Sequence, residues 1–237
     1  MSIASLDRAT TFFLDAGGVL VNPNWQRVAA ALQRHGVAAD ATRLAAAEPL
    51  AKLELDVPAQ IRATDDRSRS GLYWELVLRN AGIDAAPELL AGAWTELEDY
   101  HRRFNLWETV IDGVPAALDR LREIGLKLVV VSNSNGTLRE KLRRLDLERR
   151  FDLVIDSHEV GVEKPDRRIF EIALDRARVR RDEVVHVGDF FEIDVVGARA
   201  AGIGAVLVDP MGLHAARDCR RVESLAEFAA SAKGRLL

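Results

Sequence analysis

Short apolar runs alternate with amphipathic segments along most of the chain. Five of the runs are rich in β-branched or aromatic residues and lack alternating polarity, as is typical of strands covered on both faces. These runs are Thr11–Leu14, Leu126–Val131, Leu153–Ile155, Val184–Val187 and Ala205–Val208. Apolar residues spaced three and four apart predict helices between the later runs, namely Val114–Ile124, Leu138–Leu147, Arg167–Ala177 and Glu192–Ala201. The repetition of strand and helix predicts an α/β fold with a parallel sheet.

Residues 22–105 break this alternation. The pattern there predicts helices without a convincing strand, namely Trp25–His35, Asp40–Leu55, Gly71–Asn80 and Pro87–Phe104. The polar segment Arg62–Ser70 predicts a loop or an irregular link. A helical stretch of this length is too long for an ordinary connection between two strands. We therefore predict a core of residues 1–21 and 106–237 and an inserted helical subdomain of residues 22–105.

Composition narrows the class of protein. The 237 residues are 48% hydrophobic and 30% charged, which is ordinary for a globular chain and excludes wholesale disorder. Lys and Arg number 33 against 37 Asp and Glu, so no basic excess favours nucleic acid. The single cysteine, Cys219, excludes an internal disulfide framework and a multi-cysteine zinc site.

Apolar runs are too short for a membrane span. The longest uncharged one, Ala200–Val208, is less than half of the roughly 20 residues that a spanning helix needs. Charged residues interrupt the first residues of the chain, so we expect no signal peptide. The sequence therefore predicts a cytoplasmic protein without membrane or nucleic-acid partners, and it predicts no particular oligomeric state.

Polar residues follow the predicted strands at the edge where an open parallel sheet binds its ligands. They are Asp15 after the first strand, Ser132 and Asn133 after the second, Lys164 beyond the third, and Asp189 after the fourth, with Asp194 five residues later. Each has an ordinary structural explanation when taken alone, because Asp favours turns and Ser, Asn and Asp cap helices. Their arrival in order at one edge of one sheet is what indicates a site.

Together these segments resemble the four motifs of the haloacid dehalogenase-like (HAD) hydrolase superfamily. The first is FFLDAGGVL at residues 12–20, and the second is VVVSN at residues 129–133. The third is EKPD at residues 163–166, and the fourth is Gly188-Asp189 with Asp194. The resemblance spans nearly the whole chain. It implies a Rossmann-like parallel-sheet core, and the insertion resembles the α-helical cap of one subclass.

The resemblance implies a phosphatase that acts on a small phosphorylated metabolite. Asp15 would attack the phosphorus atom and form an aspartyl-phosphate, which splits one displacement into two. Ser132 and Asn133 would bind the phosphoryl oxygens. Lys164 would bind them as well and would neutralise charge between carboxylate and phosphate.

The resemblance also implies Mg²⁺ as cofactor. Asp15 and Asp189 would hold the ion through carboxylate oxygens, which this hard cation prefers. Gly17 would contribute its backbone carbonyl oxygen. Asp194 would contribute indirectly or through water.

Gly17 departs from the family pattern, because phosphatases of the superfamily usually carry a second Asp there. That Asp protonates the leaving group and then activates water, help that is typically worth about 10²–10⁴-fold. Its absence favours leaving groups that need little protonation, as in sugar 1-phosphates, acyl phosphates or aryl phosphates. Alternatively, a side chain of the inserted subdomain supplies the proton, the candidates being Asp65, Asp66, Tyr73 and His101.

Two other functions are compatible with this departure. Dehalogenases of the superfamily also attack with an Asp and lack the second carboxylate, but they need no metal and usually replace the Gly-Asp pair found here at Gly188-Asp189. A non-catalytic member would bind a phosphorylated ligand or a partner protein. Of the remaining residues, His186 is predicted to be an ordinary core histidine with its hydrogen bonds satisfied. Four tryptophans are predicted to pack the inserted subdomain, namely Trp25, Trp74, Trp94 and Trp107.

Overall fold

The computed structural model describes residues 8–232, apart from the side chain of Arg67. The chain divides into two compact units. The first takes Met1–Asn22 and Thr109–Leu237, and the second takes Pro23–Glu108. No helix in the described part of the chain is both long and apolar enough to cross a membrane.

The first unit is built on a six-stranded parallel sheet. Its strands are β1 (Thr11–Leu14), β4 (Lys127–Ser132), β5 (Leu153–Asp156), β6 (Val184–Gly188), β7 (Gly204–Val208) and β8 (Arg220–Val222). Their order is β5-β4-β1-β6-β7-β8, and each neighbouring pair is parallel. Two further strands, β2 (Val21–Pro23) and β3 (Trp107–Val110), form a separate two-stranded sheet. The predicted α/β fold with a parallel sheet is confirmed.

Strand β1 lies in the middle of the sheet, and its register aligns the ends of three strands. Leu14, its last residue, pairs with Val130 of β4 and with Val187 of β6. The residues that follow therefore leave the sheet at the same edge. This alignment brings the segments after β1, β4 and β6 together.

Both faces of this sheet are buried, which explains why its strands are apolar without alternation. On one face, Phe13 belongs to a buried cluster with residues of β4, β5 and α9 (Arg167–Ala177). On the other, Phe12 packs edge-on against Phe228, with ring centroids 4.8 Å apart. The other helices of this unit are α6 (Val114–Glu123), α7 (Leu138–Arg144), α8 (Ser157–Val160), α10 (Val196–Ala200) and α11 (Leu225–Ser231).

The predicted helix Glu192–Ala201 is wrong in its first half. Residues Phe191–Val195 form a π-helical turn, and α10 follows it. A π-helical turn is wider than an α-helical one, and such turns are frequent at functional sites. The sequence also did not predict β2, β3, β8, α8 or α11, because each is short or lies in a segment without a clear period.

The second unit is helical, as predicted. Its elements are α1 (Trp25–Arg34), α2 (Ala41–Leu55), α3 (Pro58–Ala63), α4 (Asp66–Asn80) and α5 (Pro87–Phe104). The ring of Trp74 lies 5.9 Å from that of Trp25, 5.5 Å from that of Trp94 and 5.7 Å from that of Trp107, centroid to centroid. The four tryptophans therefore pack together in this unit.

The predicted loop Arg62–Ser70 is wrong, because α3 and α4 cover most of it. Asp65 and Ser68 form a capping box: the Asp65 carboxylate accepts the Ser68 N–H at 2.8 Å, and the Ser68 hydroxyl accepts the Asp65 N–H at 3.0 Å. Buried Arg69 then donates to the carbonyl of Thr64 at 2.7 Å. The polar residues of this segment start a helix instead of preventing one.

Candidate active site

Asp15 follows the central strand directly and is buried at the edge where three strands end. Its N–H donates to the carbonyl of Val187 at 2.9 Å, which continues the ladder between β1 and β6 by one residue. Its Oδ1 accepts the N–H of Ala16 at 2.7 Å and lies 3.0 Å from Nζ of Lys164. The carboxylate is therefore fixed by the backbone and by a lysine.

Lys164 lies between two carboxylates and is 1% exposed. Its Nζ is 3.0 Å from Oδ1 of Asp15 and donates to Oδ1 of Asp194 at 2.6 Å. Burial by itself lowers the pKa of a lysine, but the negative charges of Asp15 and Asp194 outweigh it and raise the pKa of Lys164 above its ordinary value. Lys164 is therefore a permanent positive charge at the site.

Asp194 has a donor on every side of its carboxylate and is almost completely buried. Oδ1 accepts from Lys164 at 2.6 Å and lies 2.9 Å from Nε2 of His186. Oδ2 accepts the N–H groups of Asp189 at 3.1 Å and Phe190 at 3.0 Å. Burial opposes the charge of Asp194, but Lys164 and the His186 hydrogen bond hold its pKa well below the usual range. Four donors fix the orientation of this carboxylate, so Asp194 holds its neighbours in place.

Gly188 has to be a glycine because Asp194 folds back onto it. A Cβ built at Gly188 would lie 2.1 Å from Cγ of Asp194, far inside any normal contact. The chain turns back here because the carbonyl of Phe190 accepts the N–H of Asp194 at 2.9 Å and, with the five-residue spacing of a π-helical turn, the N–H of Val195 at 3.4 Å. The spacing of the fourth motif thus has a direct geometric cause.

Asn133 holds the backbone of Lys164 from both sides. Its Oδ1 accepts the Lys164 N–H at 2.8 Å, and its Nδ2 donates to the Lys164 carbonyl at 3.0 Å. The sequence predicted a substrate contact for Asn133, and that contact stays a prediction. The structure adds a positioning role that no local pattern indicates, because the two residues are 31 positions apart.

Ser132 ends β4 and is buried, with its hydroxyl 3.3 Å from the carbonyl of Asn133. The loop that follows is held by Asp156, the last residue of β5. Its Oδ2 accepts the N–H groups of Gly136 at 3.0 Å and Leu138 at 3.3 Å. Asp156 therefore ties the loop after β4 to the end of the neighbouring strand.

The carboxylates at this edge fit a divalent cation. Asp15, Asp189 and Asp194 each offer an oxygen, and these atoms all lie within 4.8 Å of one another. Oxygen is the ligand atom that Mg²⁺ prefers. Lys164 contacts two of these carboxylates, those of Asp15 and Asp194, and a divalent cation would add further positive charge to this acidic edge.

Gly17 lies in the turn after β1, in an isolated bridge with Val21. Gly18 next to it has a left-handed backbone with φ of 66°, whereas Gly17 is outside that region. A side chain at position 17 therefore meets no backbone strain of the left-handed kind. The metal contact expected from the Gly17 carbonyl stays a prediction.

The proton donors considered in the helical unit have structural partners there. Asp65 caps α4, and the Tyr73 hydroxyl donates to Glu48 at 2.8 Å. Nδ1 of His101 accepts the N–H of Leu106 at 3.2 Å. Each of these contacts accounts for its residue without a catalytic role.

His186 is the residue of the site that the sequence reasoning missed. It was predicted to be a satisfied core histidine, but its Nε2 lies against Asp194, and its buried Nδ1 has no hydrogen-bond partner among the described residues. The available signal was a polar residue inside an otherwise apolar central strand, two positions before Gly188.

In this α/β protein, a carboxylate follows the middle strand of a parallel sheet, and a buried lysine bridges it to a second carboxylate. This arrangement defines a candidate nucleophile and a candidate cation site. The chain belongs to the haloacid dehalogenase-like hydrolase family, whose family model matches residues 9–202. The resemblance found in the motifs is confirmed.

The chain is similar in sequence to individual proteins of this family. The chain is 40% identical over 140 residues to the haloacid dehalogenase-like hydrolase domain-containing protein 3 of Mus musculus, covering 57% of this chain and 55% of that protein. It is 36% identical over 137 residues to the glyceraldehyde 3-phosphate phosphatase of Methanopyrus kandleri, covering 57% and 58%. The matches therefore span little more than half the length of these two relatives.

Among solved structures, the fold is similar to that of the HAD-hydrolase YfnB from Bacillus subtilis, which was crystallised with magnesium. The TM-score is 0.68 at 19% identity, over 95% of this chain and 99% of that one. At this level of identity the similarity concerns the fold, and it agrees with the observed sheet flanked by helices.

Proposed function

We propose that this chain is a magnesium-dependent phosphatase that acts on a small phosphorylated metabolite through an aspartyl-phosphate. The observation that carries the proposal is the Asp15 carboxylate, fixed against Lys164 at an edge where oxygens of Asp15, Asp189 and Asp194 lie within 4.8 Å of one another. Membership of the hydrolase family supports it. So does the similarity to a relative named as a phosphatase.

The first step uses Asp15 as nucleophile. One of its carboxylate oxygens forms a bond to phosphorus, and the bond from phosphorus to the leaving oxygen breaks with its electron pair on that oxygen. Lys164 lies against Asp15, so its positive charge reduces the repulsion between the carboxylate and the phosphate. Water then attacks the aspartyl-phosphate, which releases inorganic phosphate and restores Asp15.

The other predicted residues hold the phosphoryl group and its countercharge. Ser132 would donate a hydrogen bond to a phosphoryl oxygen, and Asn133 would add a donor while it holds Lys164. Asp15, Asp189 and the Gly17 carbonyl are the groups that would hold Mg²⁺, with Asp194 acting through its neighbours. The ion would supply positive charge to the transferred phosphoryl group.

Gly17 leads us to propose a restricted set of substrates. Without a carboxylic acid at this position, the leaving oxygen departs with little protonation. Sugar 1-phosphates, acyl phosphates and aryl phosphates have such leaving groups, whereas simple alkyl phosphates do not. This selection rests on the chemistry of the leaving group alone.

The proposal is tested by hydrolysis of an aryl phosphate and of a panel of 2-halo acids, each with Mg²⁺ and with chelator. Phosphate release that needs the metal supports the proposal. Halide release that persists in chelator would assign the chain to the dehalogenases instead. Absence of both phosphate and halide release, together with binding of a phosphorylated ligand, would indicate a non-catalytic member of the family.

We further propose that residues 22–105 form the cap of the enzyme, with residues 1–21 and 106–237 as its core. The helical composition of the second unit supports this division. A cytoplasmic location, and the absence of nucleic-acid and membrane partners, remain predictions from composition. Limited proteolysis at the two predicted boundaries tests the division.

A further inference from the structure

We propose that His186 is a positioning residue for this site. It holds the carboxylate of Asp194, and through that carboxylate it fixes Lys164 and the amides of Asp189 and Phe190. The proposal rests on the proposed function, because a fixed lysine and a fixed metal edge matter only if the site transfers phosphoryl groups.

The ring of His186 is held in one orientation. It is 0% exposed in the middle of β6, where it stands between Phe13 of β1 and Ala205 of β7 in the register of the sheet. Phe170 of α9 packs edge-on against it, with ring centroids 5.0 Å apart and an interplanar angle of 77°. A ring confined in this way presents Nε2 to Asp194 and cannot turn away from it.

The hydrogen bond between His186 and Asp194 has one possible direction. An ionised carboxylate only accepts, so Nε2 carries the proton and donates to Oδ1 at 2.9 Å. Oδ1 then receives two donors, His186 and Lys164, from different directions. Two donors on one oxygen fix the plane of the carboxylate, and the second oxygen is thereby aimed at the amides of the loop after β6.

Packing alone does not explain a histidine at this position. Its neighbours along β6 are valines, and an apolar side chain would fill the same space without leaving a polar atom unsatisfied. Nδ1 is buried and has no hydrogen-bond partner among the described residues. A buried, unsatisfied nitrogen is unfavourable, so the contact made by the other nitrogen has to be worth more than this cost.

Two variants separate the donor from the ring. His186→Leu removes the donor, whereas His186→Gln replaces it with an amide N–H of similar reach, and both lose the edge-on contact with Phe170. The first readout is amide hydrogen exchange at Asp189 and Phe190, measured by NMR without any substrate or metal. We expect amide exchange about tenfold faster in His186→Leu and near-wild-type exchange in His186→Gln. Only His186→Leu loses the hydrogen bond to Asp194 that holds the acceptor of these amides in place.

The second readout is Mg²⁺ affinity, measured by calorimetry on the same proteins. Loss of a group that orients a metal ligand typically weakens metal binding by about 10–100-fold, and we expect this for His186→Leu with rescue by His186→Gln. Equal exchange rates and equal Mg²⁺ affinities in wild type and His186→Leu would overturn the positioning role. Equal changes of exchange rate and Mg²⁺ affinity in both variants would overturn it too, because loss of the ring contact with Phe170 would then be the cause.

A third readout needs no variant of His186. The ring N–H of His186 is expected as a slowly exchanging, downfield proton signal in the wild-type chain, and Asp194→Asn is expected to shift it. Absence of this signal would overturn the proposal even if His186→Leu failed to fold. If the signal and the exchange pattern are found but the wild-type chain neither binds Mg²⁺ nor releases phosphate, the positioning of Asp194 stands. The proposed phosphatase function is then what fails.

Discussion

Both units contain a buried carboxylate next to a lysine, but the two groups differ in how many carboxylates they gather around one point. In the helical unit, Oε1 of Glu48 accepts from Nζ of Lys52 at 2.9 Å and from the hydroxyl of Tyr73 at 2.8 Å. The Glu48 carboxylate thus has a lysine and a hydroxyl as donors. A paired and hydrogen-bonded carboxylate can remain inside a protein without a further ion.

The group in the sheet unit has the same components in a different ratio. Lys164 is shared by Asp15 and Asp194, and Asp189 lies within reach of the same point. Three carboxylates therefore lie close together around one point. Gathering buried carboxylates is unfavourable unless positive charge is supplied, and it occurs here at the edge where ligands of parallel sheets bind.

The comparison shows that burial of charge is not by itself a sign of function. The Glu48 group is buried and hydrogen-bonded within the helical unit, so it serves the fold. The sheet group is also buried and hydrogen-bonded, but it gathers three carboxylates that could hold a cation. Variants in the two groups should therefore have opposite consequences for activity and for stability.

The largest expected effect follows from Asp15→Asn. An amide has the volume of the carboxylate but is not a nucleophile, so turnover of an aryl phosphate should fall by at least about 10³-fold. The circular dichroism spectrum should match that of the wild type. Near-normal hydrolysis by this variant would remove Asp15 from the mechanism.

Asp189→Ala should come next, because it removes one of the three clustered carboxylates. We expect Mg²⁺ affinity to weaken by about 10–100-fold and activity to fall with it. Calorimetric titration with Mg²⁺ and phosphate release at varied Mg²⁺ measure the two effects on one protein.

A control for this prediction is His158→Gln, at an exposed histidine that follows β5. It should change neither the Mg²⁺ midpoint nor the rate. If Asp189→Ala left the midpoint unchanged as well, the metal site would have to lie elsewhere.

The sheet and the positions of its polar edge residues could be predicted because both follow from local pattern. Apolar runs without alternation predicted five strands. The polar residues that follow these strands, namely Asp15, Ser132, Lys164 and Asp189, predicted a site at one edge of the sheet. Parallel strands carry the ends of successive segments to one side, so sequence order alone brings these residues together.

The contacts within the edge could not be predicted, since they join residues far apart in sequence. Asn133 holds Lys164 across 31 positions, and nothing local indicates it. His186 was assigned to the core because its strand is apolar, and its role depends on a π-helical turn that no period reveals. In the helical unit, the prediction for Arg62–Ser70 was wrong although the relevant contacts are local. The polar residues that cap α4 were interpreted as a loop.

Glu48→Gln should destabilise the helical unit and leave the site intact. Lys52 then loses its ion pair with Glu48, which we expect to cost about 1–3 kcal/mol of stability. All four tryptophans lie in this unit, so urea unfolding followed by tryptophan fluorescence reports on it directly. Mg²⁺ affinity should not change.

The matched control is Glu54→Gln on the same helix. Glu54 pairs with Arg79, and about 40% of its side chain is exposed. An exposed pair contributes little, so the unfolding midpoint should correspond to a change of no more than about 0.5 kcal/mol. A loss at Glu54 equal to that at Glu48 would show that burial of the Glu48 group is not what stabilises the unit.

The smallest expected effect belongs to Gly17→Asp, which adds a carboxylic acid two residues after Asp15. If the missing acid limits the reaction, wild-type rates should fall steeply as the leaving-group pKa rises. Gly17→Asp should then accelerate alkyl phosphates more than aryl phosphates, because only alkyl leaving groups need protonation. We expect a gain of about tenfold, below the 10²–10⁴-fold typical of such catalysis, since no neighbours are arranged to support the new side chain.

Gly17→Ala separates this gain from the effect of the side chain itself. Because Gly17 lies outside the left-handed region, alanine should be accommodated without backbone strain, and its rates should match those of the wild type. The added charge of Gly17→Asp should also tighten Mg²⁺ binding, which calorimetry detects independently of turnover. Flat wild-type rates across leaving groups, with Gly17→Asp no faster than Gly17→Ala on alkyl phosphates, would mean that another residue already supplies the proton. The donors to examine next would be the side chains of the helical unit, beginning with Asp66, whose side chain is half exposed.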